Sequence, residues 1–225
     1  MESDNAFERL WKLQASANQL VLEGKRSPEA LTELYQKFVF GAVLPDIDWS
    51  KVYETLGMGK DYAVFKAANS GAKEDPGFWF VPCPMGVSAN KVVEALRKLG
   101  VTVYVYVEDL DKDVTKNDRN PNDGSYVVGF RRTVEADEEN ANKSANDLAK
   151  SGHKGTTLLE RLLLELGYFL ATGKHLDIEK VTLCAGSRCS VGSVPSADWS
   201  GGGFGVGWYS SDDRDGSLRS RSAVS

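Results

Sequence analysis

Residues 78–107, FWFVPCPMGVSANKVVEALRKLGVTVYVYV, decide how the rest of the chain is read. Phe78-Trp79-Phe80-Val81 is aromatic and β-branched and is bounded by Gly77 and Pro82, which predicts a buried strand that the prolines Pro82 and Pro84 bring to an end. Ser88 stands where an N-cap belongs. Behind it Val92, Val93, Leu96 and Leu99 recur on one helical face, Glu94 precedes Lys98 by one turn, and Gly100 supplies the stop. Val101 to Val107 alternates valines with Thr102, Tyr104 and Tyr106, the period of a strand with one buried face. Strand, helix and strand in this order predict a right-handed β-α-β crossover with the two strands parallel.

Working towards the C-terminus, residues 108–124 read as a hydrophilic loop closed by the turn Asn120-Pro121-Asn122-Asp123-Gly124. Tyr126 to Phe130 resumes a strand, expected to pair antiparallel with 101–107. Residues 135–155 are rich in Glu, Asn, Lys and Ser, with room for one short helix at Ala145 to Lys150, and form the best internal linker. Thr157 and Glu160 have capping-box spacing, and Leu158, Leu159, Leu162, Leu163, Leu166, Phe169 and Leu170 make a wide apolar face ending at Gly173. Leu164 lies outside that face, so the helix is expected to be covered on more than one side. Val181 to Cys184 and Phe204 to Tyr209 read as strands, Gly201 to Gly207 as hairpin sequence, and the end from Asp212 as turn and tail.

Towards the N-terminus, Phe7, Leu10, Trp11, Ala17, Leu20 and Val21 have helical spacing and Gly24 ends them. A second helix begins at Ser27-Pro28-Glu29 and carries Leu31, Leu34, Tyr35, Phe38 and Val39; a third runs from Trp49 under an Asp48 cap to about Leu56. Tyr62 to Ala67 fits a short strand or a helical turn equally well. The expected architecture is α+β in one domain over 1–225, with a weak boundary within 135–155. It combines N-terminal helices, a central β-α-β unit with an added strand, and a long Leu-rich helix packed on a C-terminal β region.

With 41% hydrophobic and 26% charged residues the composition is that of an ordinary folded domain. A formal net charge of -5 offers no general field for a nucleic-acid backbone. No apolar run approaches a membrane span, and Met1-Glu2-Ser3-Asp4 lacks a secretory start, so a cytoplasmic location and no membrane contact are expected. Three cysteines, Cys83, Cys184 and Cys189, do not form a disulfide framework, and with two histidines and no Cys-x-x-Cys pair there is no zinc spacing. No cofactor and no metal site are expected.

Asp109, Asp111 and Asp113 have the first spacings of a calcium loop, but Val114 and Asn120 stand where such a loop needs Gly and a bidentate Glu. An irregular cation site drawn from these residues with Asp118 and Asp123 is the alternative to a solvated acidic loop or a partner contact. Cys83, between a strand and a helix, is a weak nucleophile candidate, weighed against a buried small hydrophobe. The turn Gly86 to Asn90 offers amides to a phosphate but lacks the lysine and glycine spacing of a P-loop. Trp199, Phe204, Trp208 and Tyr209 offer stacking faces near Arg214, Arg219 and Arg221, although sheet packing explains them more cheaply. His153 and His175 carry no functional weight.

The strings TLLERLLLELGYFLATGKHLD, VTLCAGSRCSVGSVP and SLRSR resemble segments of a group of uncharacterised bacterial proteins with no assigned activity. The resemblance implies a recurring bacterial fold and nothing about mechanism. From the residues, three readings follow. The first is a non-enzymatic cytoplasmic protein that binds another macromolecule, a protein partner or its own copy, through the acidic loop or the aromatic C-terminal surface. The second is a small enzyme that combines Cys83 or Ser88 with carboxylates of residues 108–124. The third is nucleic-acid binding, which requires Arg131, Arg132, Arg188, Arg219 and Arg221 to converge.

Overall fold

The computed structural model describes residues 2–32, 35, 44–69 and 75–224. The chain divides into two units, Met1–Leu44 and Pro45–Ser225. The first holds α1 (Glu2–Leu22), closed by Gly24, whose positive φ lets the chain reverse, and a helical start at residues 28–32 in which the Ser27 hydroxyl accepts from the Ala30 amide at 3.1 Å. Leu34, Phe38 and Val39 of the expected second helix lie outside the described residues.

The second unit is α+β. After α2 (Trp49–Thr55), capped by Asp48, comes α3 (Gly59–Ala68), so Tyr62 to Ala67 is helical and not a strand. Its Tyr62 ring stacks on Tyr53 at 4.8 Å. Strand β1 (Phe78–Cys83) precedes α4 (Ala89–Lys98) and β2 (Val103–Val105), the expected order, but the crossover does not place its two strands side by side. β1 pairs antiparallel with β4 (Tyr126–Arg131), in a register that sets Phe80 opposite Gly129 and Cys83 opposite Tyr126. β2 is instead the edge of a five-stranded sheet, parallel to β8 (Gly203–Tyr209). Alternating apolar residues fix that each segment is a strand; the choice of partner is a long-range matter that local pattern does not encode. β1 runs through Pro82, which an edge position tolerates because no ladder bond is needed from its nitrogen.

Residues 108–124 are not plain loop. They form α5 (Leu110–Asp113), β3 (Val114–Asn117) and a turn of 3-10 helix at Pro121–Asp123, and β3 pairs antiparallel with β6 (Ser187–Cys189). The short helix α6 (Ala145–Lys150) lies where expected, under a capping box of Ser144 and Asp147. Residues 135–155 do not mark a boundary, because the C-terminal segment ties them in. Asn140 donates to the Ser220 carbonyl at 2.9 Å and Arg214 holds Asp147 with two hydrogen bonds.

The large sheet is completed by β5 (Val181–Leu183), β7 (Val194–Ser200) and β9 (Leu218–Arg219), in the order β2-β8-β7-β5-β9. β7 and β8 form a hairpin whose two-residue turn, Gly201-Gly202, needs positive φ at both positions, which glycine adopts freely. No described helix is long and apolar enough to cross a membrane.

The long helix α7 (Leu158–Thr172) packs on α2, α4, β1 and β7. Leu158, Leu162, Leu163, Leu164 and Leu166 are all buried, so Leu164 is covered although it falls outside the sequence stripe. Gly167 is where Ile47 approaches: a Cβ there would stand 2.7 Å from Ile47 Cγ2. Charges are enclosed too. Arg161 donates to Asp177 at 2.8 Å and Glu165 at 2.9 Å, Arg221 donates to Asp177 at 2.7 Å, and Thr182 also bonds Asp177; all are buried. The C-terminal end departs from the expected turn and tail. It is instead threaded inward, because Arg221 completes this network and Val224 bridges to Gly129.

Burial pushes the Asp177 carboxyl up, but Arg221 and Arg161 outweigh it and hold it below the ordinary range. Asp177→Asn keeps the side-chain shape and suits the positive φ of 54° at this position. It leaves the buried Arg221 without a carboxylate and Arg161 with Glu165 alone, so urea unfolding is expected to show a loss of about 3–5 kcal/mol. A depressed carboxyl contributes stability that is present above its unfolded value of about 3.9 and lost as pH falls through the folded value. The native protein should therefore lose this increment below about pH 4, and the variant should not.

Candidate functional site

The acidic segment 108–124 is fastened at its start by its own carboxylates. Asp109 caps α5 through the Lys112 amide at 3.2 Å and accepts from the Asn90 side chain at 2.7 Å, while Asn90 accepts from the Leu110 amide at 3.0 Å. Asp111 accepts from the Ala89 and Asn90 amides at 2.8 and 3.2 Å. The helix N-terminus that the sequence offered to a phosphate is therefore already occupied by a carboxylate of the chain itself. Lys112 pairs with Asp109 and raises no barrier to solvent, being largely exposed; it holds the Asp109 carboxyl below its usual range together with Asn90.

The far end of the segment is fastened by Arg119. Its guanidinium makes a bidentate pair with the fully buried Glu160 at 2.7 and 2.8 Å and also donates to the Gly155 carbonyl at 2.7 Å. Glu160 accepts in addition from Tyr126 Oη at 2.9 Å and from the Thr157 amide at 2.8 Å, the second being half of the capping box of α7. Burial pulls the Arg119 guanidinium down, and Glu160 more than reverses it, leaving the pKa raised.

Between these fastenings lies an open cleft of about 410 Å³, walled by the 86–89 turn, by residues 110–122 and by the first turn of α7. That size falls within the roughly 300–1,000 Å³ of ligand clefts in general. Asn117, Asn120 and Asn122 line it. The Asn117 Oδ1 accepts from Ser187 at 2.5 Å and the Asn120 Oδ1 from the Asn122 amide at 3.0 Å. Among the described residues none of the three Nδ2 groups has a protein partner, nor has Arg119 Nη1, and none of these atoms is sealed from solvent. Leu158 and Leu159 supply an apolar part of the wall.

The other sequence candidates are dispersed. Asp113 is partly buried, and Asp118 and Asp123 are exposed. Asp109 and Asp111 turn to separate amides, and among the described residues no three His, Cys, Asp or Glu side chains are grouped to hold a metal ion. Cys83 is fully buried, and burial with the nearby Glu160 charge pushes its thiol well up, the opposite of what a thiolate nucleophile requires. Ser88 is engaged as the cap of α4, accepting from the Lys91 amide.

Trp199 stacks on His175 at 3.5 Å, and that imidazole is held in turn by Glu165 at 2.7 Å and by Phe169. Trp208 and Tyr209 are partly buried, Trp208 opposite Pro195 in the hairpin and Tyr209 against a cluster of Ala145, Leu183 and Val194. Phe204 lies under Arg161 at 5.3 Å. The aromatic residues are thus largely committed to packing.

The arginines are committed as well. Arg131 pairs with Glu139 and Arg132 with Asp46; Arg188 and Arg219 donate to backbone carbonyls, and Arg221 is in the core. Arg221 cannot contribute to a surface for nucleic acid.

No protein-family model matches the chain, and no curated protein and no solved structure matches it.

Sequence reasoning missed Asn117, Arg119, Asn120 and Asn122 as site residues. The Asn120-Pro121-Asn122 turn was visible, but its meeting with the capping box at Thr157 depends on the Arg119 to Glu160 pair, a contact with no local signature. Native protein treated with iodoacetamide is expected to show no alkylation at Cys83, and full alkylation after denaturation in guanidinium, by mass spectrometry of the digested chain.

Proposed function

We propose that this protein is a non-enzymatic binding protein of the cytoplasm, and that residues 108–124 supply its ligand site. One observation carries this reading: the segment is held at both ends by buried or capping interactions, yet three asparagines that line the cleft keep side-chain nitrogens with no protein partner among the described residues. Polar groups fixed in position and left without protein partners favour a ligand that supplies them. The enzyme reading loses support because Cys83 is enclosed and Ser88 is engaged as a cap. All three cysteines are free and buried, which fits a reducing compartment.

A mixture of small polar fragments, amides, diols and carboxylates, titrated into the isotope-labelled protein tests the site by amide NMR. Shifts are expected for the amides of Thr115, Asn117, Asn120, Asn122 and Leu159, and Asn122→Trp, which fills the cleft from an exposed position, should abolish them. Shifts confined to other surfaces, with these amides unmoved, would exclude the cleft as the binding site.

A further inference from the structure

We infer that the N-terminal unit, Met1–Leu44, is a self-association module in which α1 pairs antiparallel with α1 of a second copy of the chain. The inference is independent of the cleft. Leu10, Leu13, Ala17 and Leu20 follow one another at steps of three, four and three residues, the alternation that gathers side chains into a narrow seam along a helix. Much of this seam is open to solvent: Leu10 is 50%, Leu13 69% and Leu20 39% exposed. A helix in water draws most of its stability from burying such a face. Units of about 40 residues and fewer usually need disulfides, a metal or association to supplement a small core. Residues 1–44 contain neither cysteine nor histidine, which leaves association. Trp11 and Leu22, also exposed, lie outside the seam.

A second copy is the occupant because the seam is complementary to itself in the antiparallel sense. An alignment that sets Leu10 opposite Leu20 and Leu13 opposite Ala17 gives every layer at least one leucine, with large against small at the centre. A parallel pair would stack Ala17 on Ala17 and leave a gap. Charge agrees with the same alignment. Arg9, beside Leu10, then faces Glu23, one turn beyond Leu20 of the other copy, and two-fold symmetry repeats the pair. The Glu23 amide bonds the Gln19 carbonyl at 2.9 Å, so this residue still follows the helical path. Arg9 is exposed and has no ion pair among the described residues. The Glu23 carboxylate accepts from Gln19 at 2.8 Å on one oxygen and pairs with Lys25 at 2.8 Å on the other. Each oxygen accepts more than one hydrogen bond, so both can also meet a guanidinium. Glu8 and Lys12, away from the seam, satisfy each other. In the parallel sense Arg9 would face Gln14 and find no charge. Opposed helix dipoles favour the antiparallel sense as well.

The test is sedimentation velocity of the full chain over a concentration series. The native chain should pass from monomer to dimer as concentration rises, and Leu13→Asp should remain monomeric. Arg9→Glu and Glu23→Arg should each raise the dimer dissociation constant by about ten-fold, because each converts two attractive pairs into two repulsive ones. Combined, the two changes re-create the pairs with signs exchanged and should restore the native constant to within about two-fold. All three residues are exposed, so the single chain does not need them to fold. An unchanged urea transition of Pro45–Ser225 in each variant confirms that a lost dimer is not a lost fold. A native chain that is monomeric at every concentration overturns the inference, and is the result expected if α1 packs on its own chain or on a different protein. A dimer that persists in Leu13→Asp overturns it too, as does a double variant that associates no better than the single ones.

Discussion

Glu160, Arg161 and Glu165 sit on a helix without a solvent-facing side over most of its length, and the surrounding structure is arranged to satisfy them. An enclosed charge left alone would cost several kcal/mol, so each must meet a partner of opposite sign with good geometry. Arg161 meets Glu165 within the helix and Asp177 beyond it; Asp177 meets Arg221 near the chain end. Glu165 also receives His175, stacked between Trp199 and Phe169. Segments far apart in sequence are thereby fixed to one helix. A replacement of the whole network by apolar residues could keep the fold, whereas removal of a single member leaves its partner stranded.

The same helix reaches the candidate site through its first turn. Glu160 serves at once as the capping-box acid of α7 and as the carboxylate that holds Arg119. Because Arg119 belongs to the segment that walls the cleft, the position of that wall is set by a buried, bidentate ion pair and not by loop sterics alone. At the other end Asp109 and Asp111 neutralise amides at two short helix starts. A wall fastened in this way would lose little conformational freedom on meeting a ligand, which is the physical advantage of preorganisation.

Much of the acidic character that the sequence displays in this region therefore has a structural use. Asp109 and Asp111 are caps. Asp118 and Asp123 are exposed and hold no such cap. The asparagines at 117, 120 and 122, which attract less notice in a sequence, line the cleft.

Local chemistry determined the secondary structure wherever a start signal, a periodic face and a stop coincide. Ser88 with Val92, Val93 and Leu96 makes α4, Thr157 with Glu160 and the leucines makes α7, and the paired glycines at 201 and 202 make the last hairpin. These interactions span a few residues, so the chain states them within one window. Pairing was decided only in three dimensions. That β1 joins β4, that β2 joins β8, and that a weakly patterned stretch at 114–117 becomes a strand against β6 all depend on partners far along the chain. The cleft belongs to this second class. It exists because Arg119 finds Glu160, and nothing near either residue in sequence specifies the other; only burial of an otherwise unpaired carboxylate brings them together.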